Sequence, residues 1–211
     1  MTPALRTRDL AVGYRTHRSR RAVLEHVNLA VHSGELVCLL GANGIGKSTL
    51  LRTLARMQPP LWGSVELGGS NLRWITQIEL ARRLGVVLTE RVAVEALPVR
   101  RIVELGRYPH SGWFGRITDR DRMAVDWAID AVAARHLADR DFSRLSDGER
   151  QRVMIGRALA QERRERGEVR AAALRVIVRD PPSRLMRVHR ERTCSRGIRH
   201  GVALALEHGR G

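Results

Sequence analysis

Lysine is nearly absent from this chain: of its 38 basic residues one, Lys47, is a lysine and the others are arginine. Cysteine is as scarce, with Cys38 in an apolar run and Cys194 in a polar one. That number and spacing exclude a disulfide framework and offer no metal-ligand pattern. Aromatic residues make up 4% and none follows Phe142. No uninterrupted apolar run approaches the ~20 residues of a membrane-spanning helix, and the opening MTPALRTRDL lacks the apolar core of a signal peptide. The expectation is a soluble chain working in the cytoplasm.

What is present suffices for one domain with a core, since 43% of the 211 residues are hydrophobic and 28% charged. The net charge of +16 would by itself suggest a polyanionic partner. Much of that charge sits at the end, where residues 162–211 hold 13 arginines and 6 acidic side chains. Arginine at lysine's expense is also what GC-rich codons favour, so the charge is weak evidence for nucleic acid and no nucleic-acid partner is expected. We divide the chain into a domain at 1–161, with a helical insertion at about 92–142, and an arginine-rich tail at 162–211. For the tail we expect mobility or marginal helices.

Short alternating runs mark strands at Leu10 to Tyr14, Val23 to Val31 and Leu36 to Leu40. Leu50, Leu51, Leu54 and Met57 then repeat at helical spacing until Pro59 and Pro60 end the pattern. A short strand at Val65 to Leu67 follows, and the apolar run Leu84 to Leu88 has the length of a buried parallel strand. Helical segments from Val99 to about Leu137 offer Ile102, Leu105, Met123, Trp127, Ile129 and Val132 to a core. A last helix after Asp147 and Gly148 presents Val153, Met154, Ile155 and Leu159. Strand, helix, strand in this order implies an α/β fold.

The strongest local motif is Gly41, Ala42, Asn43, Gly44, Ile45, Gly46, Lys47, Ser48, Thr49, which matches the phosphate-loop spacing between an apolar strand and a helix. Backbone N–H groups must curl around β- and γ-phosphate oxygens, so bulk is excluded at Gly41, Gly44 and Gly46. The helix N-terminus adds its positive dipole end. Lys47 supplies a compact ammonium between phosphates, Ser48 a hydroxyl ligand for Mg²⁺, and Thr49 a donor to an α-phosphate oxygen. The one lysine of the chain thus falls where the loop requires lysine rather than a forked guanidinium.

A second motif, Leu145, Ser146, Asp147, Gly148 and Glu149 followed by RQRVMIGRALAQ, would alone be a capped helix start. With the phosphate loop and a helical segment between, the sequence resembles the ATP-binding subunits of ABC transporters. The family signature LSGGQ stands here as LSDGE, with Asp147 and Glu149 in place of glycine and glutamine. The resemblance implies a P-loop NTPase fold of the ABC type, with an antiparallel β lobe and a helical insertion. It implies that Ser146 and the Gly148 N–H face the γ-phosphate of ATP held by a second subunit, so that ATP joins a homodimer. ELGRYPH at 104–110 and the SDGERQRV string are similar to the ATPases of iron(III)-siderophore, heme and cobalamin importers. By that likeness Tyr14 stacks on adenine, and Arg107 to Gly115, with Tyr108, Trp113 and Phe114, docks a membrane permease. The subunit would lie on the cytoplasmic face of the membrane, and the parent activity is ATP hydrolysis coupled to import.

The resemblance covers about residues 4–161. In the family an apolar strand ending in Asp-Glu-Pro follows the RALAQ helix, and a histidine comes later; no Asp-Glu pair follows Gln161 here. Asp180, before Pro181, is the nearest echo, and His189, His200 and His208 are switch histidines only by elimination. Thr89 and Glu90 stand after Leu88, where the family has a Gln on Mg²⁺. No residue is therefore assigned as the catalytic base, and the Mg²⁺-binding Asp-Glu strand is read as missing. A non-hydrolysing nucleotide-binding module, or an inactive truncated or frameshifted copy, is the alternative. For the tail, the rival to an out-of-frame end is a basic segment for acidic lipid or nucleic acid.

Overall fold

The computed structural model describes residues 2–87, 97–110, 116–161 and 200–205. They form two compact units, one running to Ile75 and including 200–205, the other beginning at Thr76.

The first unit is built on β1 (Leu5–Arg15), which pairs antiparallel with β2 (Arg20–Val27), β3 (Ala30–Val31) and β5 (Trp62–Leu67); β5 also pairs with β6 (Ser70–Asn71). Leu5, Leu10, Ala11 and Val12 of β1 are buried with Val65 and Leu67 of β5, so hydrophobic burial sets the register. Thr7 is buried among them at no polar cost, because its hydroxyl donates to the Val27 carbonyl at 2.8 Å and accepts from the Leu29 N–H at 2.8 Å. The register of β1 on β5 slips between Arg8 and Ala11, where Asp9 has a φ of 42°. Opposite the slip, a Cβ on Gly63 would lie 2.2 Å from the Asp9 carbonyl oxygen, so the bulge needs glycine there.

A turn at Ser33 and Gly34 leads into β4 (Glu35–Leu40), which runs straight into the glycine-rich loop and α1 (Lys47–Leu54). Strand β7 (His200–Ala205) pairs with β4 in parallel, Glu35 opposite His200 through Leu40 opposite Ala205. This differs from the mobility or marginal helices expected of the arginine-rich tail. The six residues HGVALA include four consecutive apolar residues and no arginine, and a parallel partner supplies the hydrogen bonds that such a run needs.

The second unit is helical: α2 (Gln77–Arg83), α3 (Val99–Glu104), a 3-10 turn over Leu105–His110, α4 (Asp119–Ala131) and α5 (Asp147–Gln161). Its core joins Ile102 and Val103 of α3, Val125 and Ile129 of α4, Leu137, Phe142, and Val153 and Met154 of α5. Thr118 and Asp121 cap α4 reciprocally, each side chain bonded to the other's N–H. Helix α2 went unread in the sequence although Thr76 caps it, accepting from the Glu79 N–H at 3.2 Å.

Two expected core positions are corrected: Leu105 and Met123 are exposed. Trp127, Val132, Ile155 and Leu159 are partly buried, and Met57 is exposed. Leu105 opens the 3-10 turn, so the phase of α3 no longer carries it inward. Met123 lies on the face of α4 opposite Val125 and Ile129, and Met57 comes after α1 has ended. The expected strand at Leu84 to Leu88 is also not formed over 84–87, where Leu84 instead ends α2 as its C-terminal cap.

Candidate functional site

The loop from Gly41 to Gly46 folds as its glycines demand. Gly44 and Gly46 have φ of 84° and 109°, and a Cβ on Gly46 would lie 2.6 Å from Val23 Cγ1. The loop is thereby pressed against β2, and it carries straight into the first turn of α1. Ile45 and Lys47 are buried, while Ala42, Asn43, Gly44 and Ser48 are exposed. Lys47 Nζ donates to the Gly41 carbonyl and, at 2.8 Å, to the Ala42 carbonyl. The ammonium is thus held inside the curl of its own loop.

Thr49 is buried one turn into α1, and its hydroxyl lies 3.1 Å from the Tyr14 hydroxyl. Tyr14 stands near the end of β1 with its ring exposed. Gly13 explains why the ring is delivered there. A Cβ at that position would come within 2.1 Å of the Arg21 carbonyl oxygen, and Gln58 donates to the Gly13 carbonyl at 3.1 Å. Gln58 went unremarked in the sequence, where nothing distinguishes it from a surface glutamine after a helix.

In the second unit, Leu145 is buried and Ser146, Asp147 and Gly148 are exposed, with Glu149 half-buried. Ser146 and Glu149 form a reciprocal cap: the Glu149 carboxylate accepts from the Ser146 N–H at 2.8 Å and its hydroxyl at 2.7 Å. The Ser146 hydroxyl followed by its N–H holds the Glu149 carboxyl below the usual carboxylate range. Asp147 Oδ1 lies 3.9 Å from Arg150 Nη1. A Cβ at Gly148 would meet nothing within 4 Å.

The turn Leu105–His110 is clamped from below. Arg107 is buried, donating from Nε to Asp121 at 2.9 Å and from Nη1 to the Ala160 carbonyl at 2.7 Å. His110 Nε2 donates to the Gln161 carbonyl at 2.7 Å, and burial pushes its pKa down. Gly106 has no room for a side chain, since a Cβ would lie 2.2 Å from the Arg157 carbonyl oxygen. Leu105 and Tyr108 point outward from this fixed base. The buried Arg107 and Asp121 pair went unread, although Thr118 and Asp121 at capping-box spacing were visible.

Trp113, Phe114, Thr89, Glu90, Asp180, His189 and His208 lie outside the described residues. His200 is the first residue of β7. Among the described residues no group of three His, Cys, Asp or Glu side chains is placed to hold a metal ion, and no helix is long and apolar enough to cross a membrane. Ser48 is exposed at the start of α1, and its hydroxyl is the kind of oxygen ligand that Mg²⁺ takes.

The ABC transporter family model matches residues 24–164. An uncharacterized ABC transporter ATP-binding protein of Methanocaldococcus jannaschii is 42% identical over 158 residues, covering 75% of this chain and 53% of that protein. The iron(3+)-hydroxamate import ATP-binding protein of Bacillus subtilis is 35% identical, covering 75% and 57%. The ferric enterobactin transport ATP-binding protein of Escherichia coli is 38% identical over the same shares. This chain therefore spans little more than half the length of these relatives. Among solved structures, a metal-chelate type ABC transporter in an inward-facing conformation aligns with a TM-score of 0.61 and 29% identity, over 76% of this chain and 57% of that one. A nucleotide-free ATP-binding cassette, 22% identical, shares the fold with a TM-score of 0.62 over 76% and 66%. With two thirds of its length matched by the family model and the glycine-rich loop folded as described, the chain belongs to the ABC transporter family and has its P-loop α/β fold.

Proposed function

We propose that this chain is the ATP-binding part of an importer subunit for an iron-siderophore or related metal chelate. The observation that carries the reading is the loop Gly41 to Thr49, with Lys47 buried inside it on two backbone carbonyls. Loop N–H groups from Gly41 to Gly46 receive the phosphates, Lys47 neutralises them, and Thr49 donates to the α-phosphate. Mg²⁺, held through Ser48, would screen the phosphate charge. Tyr14 carries the adenine. The importer-type relatives, named for iron(3+)-hydroxamate and ferric enterobactin, support the substrate class.

In this reading Leu145, Ser146, Asp147, Gly148 and Glu149 form the surface that meets ATP on a second copy, giving a homodimer. The turn around Tyr108 meets a membrane permease, with the subunit peripheral on the cytoplasmic face. Residues 1–161 make up the ATP-binding domain, and β7 of the basic segment 162–211 joins it through β4. A second reading, nucleotide binding without hydrolysis, is favoured by the lack of any Asp-Glu pair among residues 162–211, since such a pair would supply the base for water.

Phosphate release from the full chain with Mg²⁺ and ATP, reconstituted with its permease, separates the two. Release above background that a Lys47→Ala variant loses supports the hydrolytic importer. Saturable ATP binding with release at background supports the second reading and removes the first.

A further inference from the structure

We propose that Tyr14 is a positioning residue for the phosphates as well as a platform for the base, acting through its hydroxyl on Thr49. The inference rests on the ATP-binding reading above and deepens it.

Two neighbours fix where Tyr14 stands: the close approach of Gly13 to the Arg21 carbonyl and the Gln58 bond to the Gly13 carbonyl. The ring is 53% exposed, yet its hydroxyl reaches the side chain of Thr49, which is 5% exposed, at 3.1 Å. A threonine hydroxyl has one proton and two lone pairs. The phenolic O–H is the more acidic of the two groups and is the better donor. When it donates, it occupies a Thr49 lone pair and leaves the Thr49 proton for another acceptor. Backbone geometry at Thr49 is set independently, because the Thr53 hydroxyl donates to the Thr49 carbonyl at 2.9 Å. The side chain is thus held from the β1 side with its proton free for an anionic oxygen. Lys47 is pre-placed in the same loop by Gly41 and Ala42. One aromatic residue therefore serves both ends of the nucleotide, the ring facing the base and the hydroxyl orienting a phosphate donor.

A residue that only stacks would not affect a ligand without a base. The test is a double-mutant cycle on the full chain, read by equilibrium titration with ATP and with inorganic tripolyphosphate. Tyr14→Phe keeps the ring and is expected to weaken both ligands by the same factor, about three- to ten-fold, the size of one hydrogen bond. Thr49→Val is expected to weaken both, and Tyr14→Phe added to it to cost nothing more, whereas Tyr14→Phe in a Thr49→Ser background keeps its effect. Unchanged tripolyphosphate affinity in Tyr14→Phe, or additive effects in the cycle, overturns the proposal while leaving ATP binding intact. A wild-type chain that binds neither ligand overturns both. Thermal unfolding of each variant by circular dichroism confirms that the folded state is compared. If Thr49→Val does not fold, the tripolyphosphate affinity of Tyr14→Phe alone decides.

Discussion

Lys47→Ala is expected to abolish the proposed ATP binding, with a loss of at least ~100-fold in affinity. The estimate follows from two charge-assisted hydrogen bonds at about 1.5 to 3 kcal/mol each. Lys47 is buried, and its ammonium already sits on the Gly41 and Ala42 carbonyls. Without it, those two oxygens would face the phosphates with no cation between them. The other basic residues of the chain are arginines, so no second lysine can take over. Lys47→Arg is expected to fare little better, because a planar fork does not fit a curl shaped for a compact ammonium. Titration of the variant with labelled ATP checks this, and near-wild-type affinity would contradict the assignment of the loop.

Arg107→Ala is expected to destabilise the helical unit by about 3 to 5 kcal/mol, the usual cost of breaking a buried ion pair from one side. Asp121 would keep a buried carboxylate and the Ala160 carbonyl would lose its donor. Arg107→Lys should recover little, since one ammonium cannot span both acceptors with the guanidinium's geometry. Replacing both partners with apolar residues, Arg107→Met with Asp121→Leu, should recover only part of the loss, because the cap with Thr118 and the donor to the Ala160 carbonyl stay missing. Denaturant unfolding followed by circular dichroism reads these differences.

The same pair gives the acid side of the stability curve its sign. Burial pushes the Asp121 carboxyl up, but the Thr118 hydroxyl and N–H, with the Arg107 guanidinium, outweigh it and hold the group below its usual value. The stabilisation is present above the carboxyl's ordinary pKa near 3.8 and is lost as pH falls through the lower folded value. His110, held below 6.5 chiefly by burial, acts in the same direction, its contribution falling as pH drops from 6.5 through its folded value. Wild-type stability therefore declines on acidification, and Asp121→Asn flattens the most acid part of that decline.

The fold of the glycine-rich loop was legible because its constraints are local. Glycine spacing, the apolar strand just before it and Lys47 all fall within residues 35–49, and the loop folds with those glycines at positive φ. Helix α5 was legible for a similar reason, as Ser146 and Glu149 stand at capping-box spacing before Val153 and Met154. What could not be read depends on partners distant in sequence. Leu105 is apolar and fits helical spacing, but the chain tightens into a 3-10 turn there because Arg107 is drawn to Asp121 and Ala160. Strand β7 has little meaning without β4, 160 or more residues earlier. The bond between Tyr14 and Thr49 joins residues 35 apart, and neither residue type announces it. Two motifs also carried more information together than apart: the Ser-Asp-Gly step reads as a helix cap until the phosphate loop is seen.

The most direct test of nucleotide binding at this loop is hydrogen exchange of the full chain, measured peptide by peptide with and without ATP. The account predicts protection of amides from Gly41 to Leu50 at saturating ATP, with Lys47→Ala showing none. Protection that appears elsewhere while 41–50 stays unchanged, or equal protection in Lys47→Ala, would contradict it.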